Sequence, residues 1–421
     1  MGLWGSTRRN GALLAVIMAA AGCWPASGAG PDRRAHNESE TVISTASVAS
    51  MAEAWTARFG PGPVSDPVRW AANGPVYVLA SDADHGARSV YAVGADGSVS
   101  WELDGQTGGT DQHFAGELIV DGNELGISSR DIDSEPEDQW SHLWIDVGTT
   151  DPVVPRERGR LEARRGDTVV AVGLSDATRP HPFTLFGRTL DGFERWGGYV
   201  GNDVAPTLGR IRHYQPGYGL TSDSYPPELG NGVRSYPNFD RGTNCALEYM
   251  CPSWAVPIDG QTATPVVLGI GEQTVYTVSD VGTVFALDNT AGATVWTASL
   301  GSTVSRPPAL AGGWLYVPSD DGRLAVFAAD GCGAPTCTPV WSAETGSRIS
   351  AQPAVGGDVV FAATADGGLH AFPAAGCGAV TCADLWSTDL GSEVTGAPAV
   401  SDGRLYVGTD DGRLIAFEPQ A

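Results

Sequence analysis

Lysine is absent from this chain of 421 residues, so arginine supplies all 25 basic side chains. The absence excludes a Schiff-base lysine, a lysine general base and the lysine of a Walker-type phosphate loop. Acidic residues number 49, and the formal net charge is −24. Because such a charge opposes nonspecific binding to DNA, RNA and anionic lipid, we expect no nucleic-acid partner.

Several motifs of catalytic and metal sites are missing as well. The sequence contains no Gly-x-Ser-x-Gly elbow, no redox Cys-x-x-Cys, no haem-binding Cys-x-x-Cys-His and no His-x3-His pair. We therefore predict no catalytic residue and no metal ligand from motifs.

Glycine and proline are abundant instead, at 56 and 28 residues, which is typical of short strands joined by tight turns. The last third of the chain repeats with a period of 45 residues, marked by Trp296, Trp341 and Trp386. A fixed period of this length indicates a solenoid or a propeller.

The clearest repeat predicts four short antiparallel strands, at Pro308–Ala311, Trp314–Pro318, Arg323–Ala328 and Pro339–Ala343. The hairpin between the second and third strands carries Asp321-Gly322, which suits a turn with positive φ. Four antiparallel strands per repeat are typical of one propeller blade.

Fourth-strand tryptophans give the number of blades. They recur at Trp101, Trp196, Trp254, Trp296, Trp341 and Trp386. An irregular blade is predicted between the first two, with strands around 118–120, 125–128 and 143–147 and a fourth near 153–156. The last repeat lacks a fourth strand, which residues 53–57 around Trp55 would supply, because they match residues 294–298. The prediction is an all-β, eight-bladed propeller closed by an N-terminal strand, or seven blades if the irregular stretch is an insertion.

The N-terminus has the pattern of an export signal. Arg8 and Arg9 precede a short apolar core, and Gly22-Cys23 then resembles a bacterial lipobox, with lipid attached to Cys23. The alternative is an ordinary signal peptide cut near residues 26–30. We predict a signal peptide over 1–22, a flexible tether over 23–51 and the propeller domain over 52–421.

The remaining six cysteines form three local pairs, Cys245/Cys251, Cys332/Cys337 and Cys377/Cys382. An even number in an exported chain predicts disulfides. Zinc binding is the alternative, but the spacings differ from a Cys-x2-Cys knuckle.

Residues 286–296 read ALDNTAGATVW. This segment resembles the tryptophan-docking motif A-x-D-x-x-T-G-x-x-x-W of quinoprotein propellers, with Ala291 in place of the motif threonine. The resemblance implies a PQQ-type propeller of the quinoprotein alcohol dehydrogenase-like class, in which the seven tryptophans, Trp55 included, pack between neighbouring blades. The class contains dehydrogenases and also lipoproteins such as the propeller component of the outer-membrane barrel assembly machine.

The dehydrogenases of that class use PQQ with a calcium ion, a catalytic aspartate and a disulfide between adjacent cysteines. No adjacent cysteines occur here, and no aspartate matches the catalytic motif. We therefore predict no cofactor, while PQQ and calcium remain an alternative.

Function is expected where the repeat breaks down, between about 105 and 257. Aromatic and arginine side chains are dense there and are typical of recognition surfaces, although they could equally pack locally. The candidate binding surface comprises Tyr214, Tyr218, Tyr225, Arg234, Tyr236 and Phe239. The leading hypothesis is a monomeric, exported, lipid-anchored scaffold that binds an envelope protein. The alternatives are a PQQ-dependent dehydrogenase of alcohols or sugars and a glycan-binding surface protein.

Overall fold

The structure, a computed structural model, describes residues 34–420 apart from 72–73, 82–87, 104–111, 122, 132–139, 147–150, 159, 166–167, 175–182, 190–193, 201–206, 209–218, 224–231, 237–253 and 261–263. Within this part of the chain there is no α-helix, and single 3-10 turns occur at Val48–Ser50 and Ile270–Glu272. No helix among these residues is both long and apolar enough to cross a membrane.

Thirty-two strands make up the described fold. The first half contains β1 (His36–Asn37), β2 (Met51–Arg58), β3 (Val76–Ser81), β4 (Arg88–Val93), β5 (Val99–Leu103), β6 (Gln112–Asp121), β7 (Glu124–Asp131), β8 (Trp140–Asp146), β9 (Asp151–Arg158), β10 (Arg160–Arg165), β11 (Thr168–Leu174), β12 (Phe183–Thr189) and β13 (Glu194–Val200). The second half contains β14 (Thr207–Leu208), β15 (Gly219–Asp223), β16 (Gly232–Tyr236), β17 (Trp254–Pro257), β18 (Val267–Leu268), β19 (Thr274–Val278), β20 (Thr283–Asp288), β21 (Thr294–Ser299), β22 (Ala309–Ala311), β23 (Trp314–Pro318), β24 (Arg323–Ala328), β25 (Trp341–Glu344), β26 (Ala354–Gly356), β27 (Val359–Ala363), β28 (Gly368–Pro373), β29 (Trp386–Asp389), β30 (Ala399–Ser401), β31 (Arg404–Gly408) and β32 (Arg413–Pro419).

The described strands form eight sheets, each built on an antiparallel meander of consecutive strands, to which β1 is added in one sheet and β2 in another. In chain order they are sheet 1 (β3–β5), sheet 2 (β6–β9), sheet 3 (β10–β13), sheet 4 (β14–β17), sheet 5 (β18–β21), sheet 6 (β22–β25), sheet 7 (β26–β29) and sheet 8 (β30–β32 with β2). Sheet 1 has its first strand reduced to a bridge between Val68 and Tyr77. Small meanders set side by side in chain order are the arrangement of a β-propeller.

The predicted repeat is confirmed at the level of strands. β23 and β24 have the predicted bounds, and β22 and β25 differ from the prediction by one or two residues at their ends. The irregular stretch also forms four strands, β6 to β9, close to the predicted positions. The 45-residue period and the Asp-Gly turns were sufficient to place the strands of the regular repeat.

The N-terminal strand closes sheet 8 as predicted. β2 pairs antiparallel with β32, and Trp55 lies opposite Ala416. The pairing covers the edge of β32, so the last sheet has a fourth strand although the chain ends after three.

The first strands of neighbouring sheets lie close together, since β26 lies beside both β22 and β30. These short strands therefore line the axis of the molecule, and the tryptophan-bearing fourth strands form its rim. Because successive strands run in opposite directions, the turns between them lie on two opposite faces of the molecule. The Asp-Gly face carries the turns between second and third strands, at Asp321-Gly322, Asp366-Gly367 and Asp411-Gly412. The opposite face carries the turns between first and second strands, at Gly313, Gly357 and Gly403.

The prediction of a flexible tether over 23–51 is wrong for residues 34–50, which we call the strap. β1 pairs in parallel with β26, the axial strand of sheet 7. The strap then crosses the face opposite the Asp-Gly turns and reaches the rim at Ser50, whose carbonyl accepts from the backbone N–H of Gln420 at 3.0 Å. Ile43 and Val48 are fully buried, and this burial of apolar surface is the physical reason that the strap is docked.

Candidate functional site

The fourth-strand tryptophans contact the next sheet through the indole nitrogen. The Trp296 N–H donates to the Ala329 carbonyl at 3.2 Å, and the Trp386 N–H donates to the Met51 carbonyl at 3.0 Å. The same bond is made by Trp254 to Asn289 and by Trp55 to Ala95, each at 2.9 Å. Each acceptor lies just after the third strand of the following sheet, or at the start of β2 in the case of sheet 8.

A glycine lies against four of the fourth-strand indoles, those of Trp55, Trp254, Trp296 and Trp341. At Gly331 an added Cβ would be 2.7 Å from Cδ1 of Trp296, and the φ of Gly331 is +89°. An added Cβ at Gly376 would likewise meet the Trp341 ring, and one at Gly97 would meet the Trp55 ring. Close approach and positive φ together require glycine at these positions.

The other tryptophans lie where the repeat places them. Trp101 is half-buried and pairs with Ala92 in sheet 1, and Trp196 pairs with Gly187 in sheet 3. The Trp341 indole is buried, but its nitrogen has no hydrogen-bond partner within the described part of the chain. The equivalent acceptor, the Ala374 carbonyl, takes a bond from the Tyr316 hydroxyl at 2.9 Å. Burial raises the pKa of that hydroxyl, which therefore stays a donor.

The aspartates of the Asp-Gly turns accept hydrogen bonds mainly within their own hairpins, and Asp366 also interacts with Ser347. Thr364 donates to Asp366 at 2.5 Å, and Thr409 donates to Asp411 at 2.6 Å. The Thr364 hydrogen bond is the main reason that the pKa of Asp366 lies below its usual value. These carboxylates therefore have a local structural role.

Two of the predicted disulfides are present, at Cys332–Cys337 and Cys377–Cys382. The loop that Cys332–Cys337 closes lies on the outer edge of β21 in the preceding sheet. There the Thr297 N–H donates to the Pro335 carbonyl at 2.9 Å, and the Cys337 N–H donates to the Thr297 carbonyl at 2.8 Å.

The second disulfide loop covers β25 in the same way, through Ser342 and Val380. Each loop thus covers a sheet edge that would otherwise be open. The third pair, Cys245 and Cys251, lies outside the described residues.

A buried arginine joins sheet 8 to sheet 1. Arg69 is 2% exposed, and it donates to the Tyr406 hydroxyl at 3.3 Å and to the Ser401 carbonyl at 3.4 Å. Burial raises the pKa of Tyr406, and the charge of Arg69 opposes that rise. The contact places a charge and an aromatic ring at the junction where the first and last sheets meet.

The Asp-Gly face carries a charged pair in the loops that lead into β26 and β30. Nη2 of Arg348 lies 2.9 Å from Oε1 of Glu393, and both side chains are about one third exposed, at 35% and 33%. An exposed pair of this kind contributes little to stability.

The structure describes two of the six residues of the candidate binding surface. Arg234 and Tyr236 are described as backbone positions of β16, opposite Thr221 and Gly219. The other four residues of that surface, Tyr214, Tyr218, Tyr225 and Phe239, lie outside the described residues, as does Cys23.

Sequence reasoning missed the strap. Glu40 is buried, and its carboxylate accepts from the backbone N–H groups of Val42, Ile43 and Gly403 at 2.7–3.1 Å. Asp358 accepts from both the backbone and the hydroxyl of Thr45. The apolar pair Val42-Ile43, of which Ile43 is buried, was a local signal that this segment is packed.

The chain matches a family model and several solved structures. The model of the outer membrane protein assembly factor BamB matches residues 252–333 and again 332–421. No curated protein matches the chain in sequence.

Among solved structures, the quinohemoprotein alcohol dehydrogenase of Comamonas testosteroni has a TM-score of 0.65 at 14% identity, over 96% of this chain and 82% of that one. BamB of Moraxella catarrhalis has a TM-score of 0.57 at 15% identity, over 87% of this chain and 99% of that one. A europium-containing methanol dehydrogenase has a TM-score of 0.63 at 13% identity, over 94% and 98% of the two chains. At such identities the likeness is one of fold.

Proposed function

We propose that this chain, a PQQ-type propeller repeat protein, is an exported, lipid-anchored, eight-bladed scaffold that binds a protein of the cell envelope without catalysing a reaction. The eight sheets and the closing strand support the blade number. The match to the assembly-factor model supports a role in protein binding.

The main support for the proposal is that polar groups of the regular sheets are already hydrogen-bonded within the fold. The turn carboxylates accept from hydroxyl groups two residues away, and the indole nitrogens donate to the next sheet. Fold architecture accounts for these groups. Binding is therefore assigned to the insertion-bearing region between 105 and 257, including the candidate binding surface.

The part of the chain that the structure describes has no group of three or more histidine, cysteine, aspartate or glutamate side chains placed to hold a metal ion. Its disulfides join cysteines five residues apart rather than adjacent ones.

The binding test uses point substitutions, because deleting residues 218–236 would remove β15 and β16 from sheet 4. Tyr214, Tyr218 and Tyr225 are replaced together by alanine, and Val295, Val340 and Val380, which are exposed in the regular repeats, serve as the matched control. After cross-linking in native membranes, we expect the tyrosine variant to lose at least ten-fold of the captured envelope protein, at unchanged thermal stability. Equal capture by both variants would contradict the proposal.

A dye-linked oxidation assay tests the dehydrogenase alternative. The purified chain is given alcohols or sugars with and without added PQQ and Ca²⁺. We expect no quinone-dependent turnover, and any such turnover would overturn the scaffold proposal. Specific signals on a glycan array, in place of a captured protein, would assign the aromatic surface to glycan binding.

A further inference from the structure

Because the strap is docked, the free link between a lipid anchor at Cys23 and the propeller is shorter than the predicted tether. Only residues 24–33 separate Cys23 from Arg34, where the strap begins. At about 3.3–3.6 Å per extended residue, this stretch spans at most about 40 Å. A free tether running from Cys23 to the rim at Met51 would span roughly 100 Å and would leave the orientation of the propeller open.

The strap also begins at the axis rather than at the rim. The Arg34 carbonyl accepts from the Leu310 N–H at 2.8 Å, and the Ala35 carbonyl accepts from the Val355 N–H at 2.9 Å. Leu310 and Val355 belong to the axial strands of sheets 6 and 7. The attachment point is therefore central, so a short link to a membrane holds the ring broadside to the bilayer.

The direction of β1 decides which face is turned to the bilayer. β1 runs parallel to β26, with His36 opposite Val355 and Asn37 opposite Gly356. β26 runs away from the Asp-Gly face toward Gly357, so the chain enters β1 from the side of the Asp-Gly face.

We propose that the Asp-Gly face lies against the lipid bilayer that carries the anchor, with the rim directed sideways and the opposite face directed away. The inference rests on the lipid attachment at Cys23 in the proposed function. Because the link is covalent and short, the contact needs no anionic lipid, which agrees with the net charge of −24.

Energy transfer to labelled lipid tests the orientation. Single cysteines replace exposed residues on the three surfaces, as Thr303→Cys on the Asp-Gly face, Ser387→Cys on the rim and Thr41→Cys on the opposite face. The full-length lipidated variants carry a donor dye and sit in phosphatidylcholine vesicles that contain a headgroup-labelled acceptor lipid. We expect transfer to be strongest from position 303, intermediate from 387 and weakest from 41.

A matched control lengthens the link. Thirty Gly/Ser residues inserted between Gly28 and Ala29 should abolish the order of the three positions while vesicle binding persists. Strongest transfer from position 41, or equal transfer without the insertion, would overturn the orientation and leave the scaffold proposal standing. Mass spectrometry that finds Cys23 without lipid would refute the anchor itself, and the orientation with it.

Discussion

Trp296 and Trp341 hold equivalent positions in neighbouring sheets, but their indole nitrogens differ. Trp296 donates to the Ala329 carbonyl, whereas the buried nitrogen of Trp341 has no partner within the described residues. Both side chains are at most 2% exposed. A satisfied buried hydrogen bond contributes about 1 kcal/mol, whereas an unsatisfied donor destabilises.

Replacing each tryptophan by phenylalanine separates packing from hydrogen bonding. Both substitutions remove similar bulk, but only Trp296→Phe removes a bond. We expect Trp296→Phe to lower the free energy of unfolding by about 1–2 kcal/mol more than Trp341→Phe, as measured by urea denaturation. Equal losses would show that the Ala329 bond does not contribute.

Gly331 and Gly333 provide a second matched pair. Both have positive φ, at +89° and +76°, but an added Cβ meets the Trp296 ring only at Gly331 and meets nothing within 4 Å at Gly333. Gly333→Ala should cost about 1–2 kcal/mol from the left-handed backbone alone. Gly331→Ala should cost roughly a further 1–3 kcal/mol from overpacking, and thermal unfolding of both variants checks the difference.

The turn aspartate Asp366 should make the stability of the fold depend on pH. Its pKa in the folded chain lies below the usual value of 3.8, first because Thr364 donates to it. The stabilisation is therefore present above about pH 4 and is lost as pH falls through the lower folded pKa. The stability advantage of the native chain over Asp366→Asn should stay constant above about pH 5 and shrink as the pH falls below about 4, whereas Thr364→Val should reduce that pH dependence.

At the scale of elements, the disulfide loops act on the sheet that precedes them. The Cys332–Cys337 loop holds the N–H of Thr297, and the Cys377–Cys382 loop holds the N–H of Ser342. Each loop should therefore protect one amide of a neighbouring sheet and leave the other unaffected.

Hydrogen exchange checks this separation. Replacing Cys332 and Cys337 by serine should speed exchange of the Thr297 amide at least ten-fold and leave the Ser342 amide unchanged. Replacing Cys377 and Cys382 should do the reverse. Each disulfide loss should also cost about 2 kcal/mol in the chain-entropy model. Faster exchange at both amides in either variant would indicate general loosening instead of a local cover.

Elements with a local signature were predictable from the sequence. The strands at 314–318 and 323–328 are apolar runs on either side of an Asp-Gly turn, and residues 53–57 were identified as the closing strand by their match to 294–298. The strap was not predictable, because a two-residue parallel strand has no period and its partners lie about 300 residues away. The contact of each disulfide loop with the preceding sheet likewise depends on backbone groups, which leave no pattern in the side chains.

The candidate site likewise contains residues that the sequence predicted and residues that it did not. The docking role of the tryptophans followed from a resemblance to a repeated motif, and the structure supplies the acceptors and the opposing glycines. Arg69 was not found, because a single arginine has no motif. Its partners Ser401 and Tyr406 come from the far end of the chain.

At the scale of the whole molecule, the N-terminal segment has two separable tasks. β2 covers the edge of β32, and the strap ties the axial strands to the rim. A chain that begins at residue 51 keeps only the first task, and one that begins at residue 59 keeps neither. Burial of Ile43 and Val48 contributes at most about 1.5–3 kcal/mol each.

We therefore expect three outcomes from truncation, measured by thermal unfolding and sedimentation. A chain that begins at residue 34 should match the mature protein, and one that begins at 51 should be monomeric but unfold at a lower temperature. The chain that begins at 59 should self-associate, because the open edge of β32, with Leu414 and Ala416 fully buried in the intact ring, can pair with another chain. If the chain that begins at residue 59 stayed monomeric and was as stable as the chain that begins at residue 51, ring closure by β2 would not contribute to the stability of the fold.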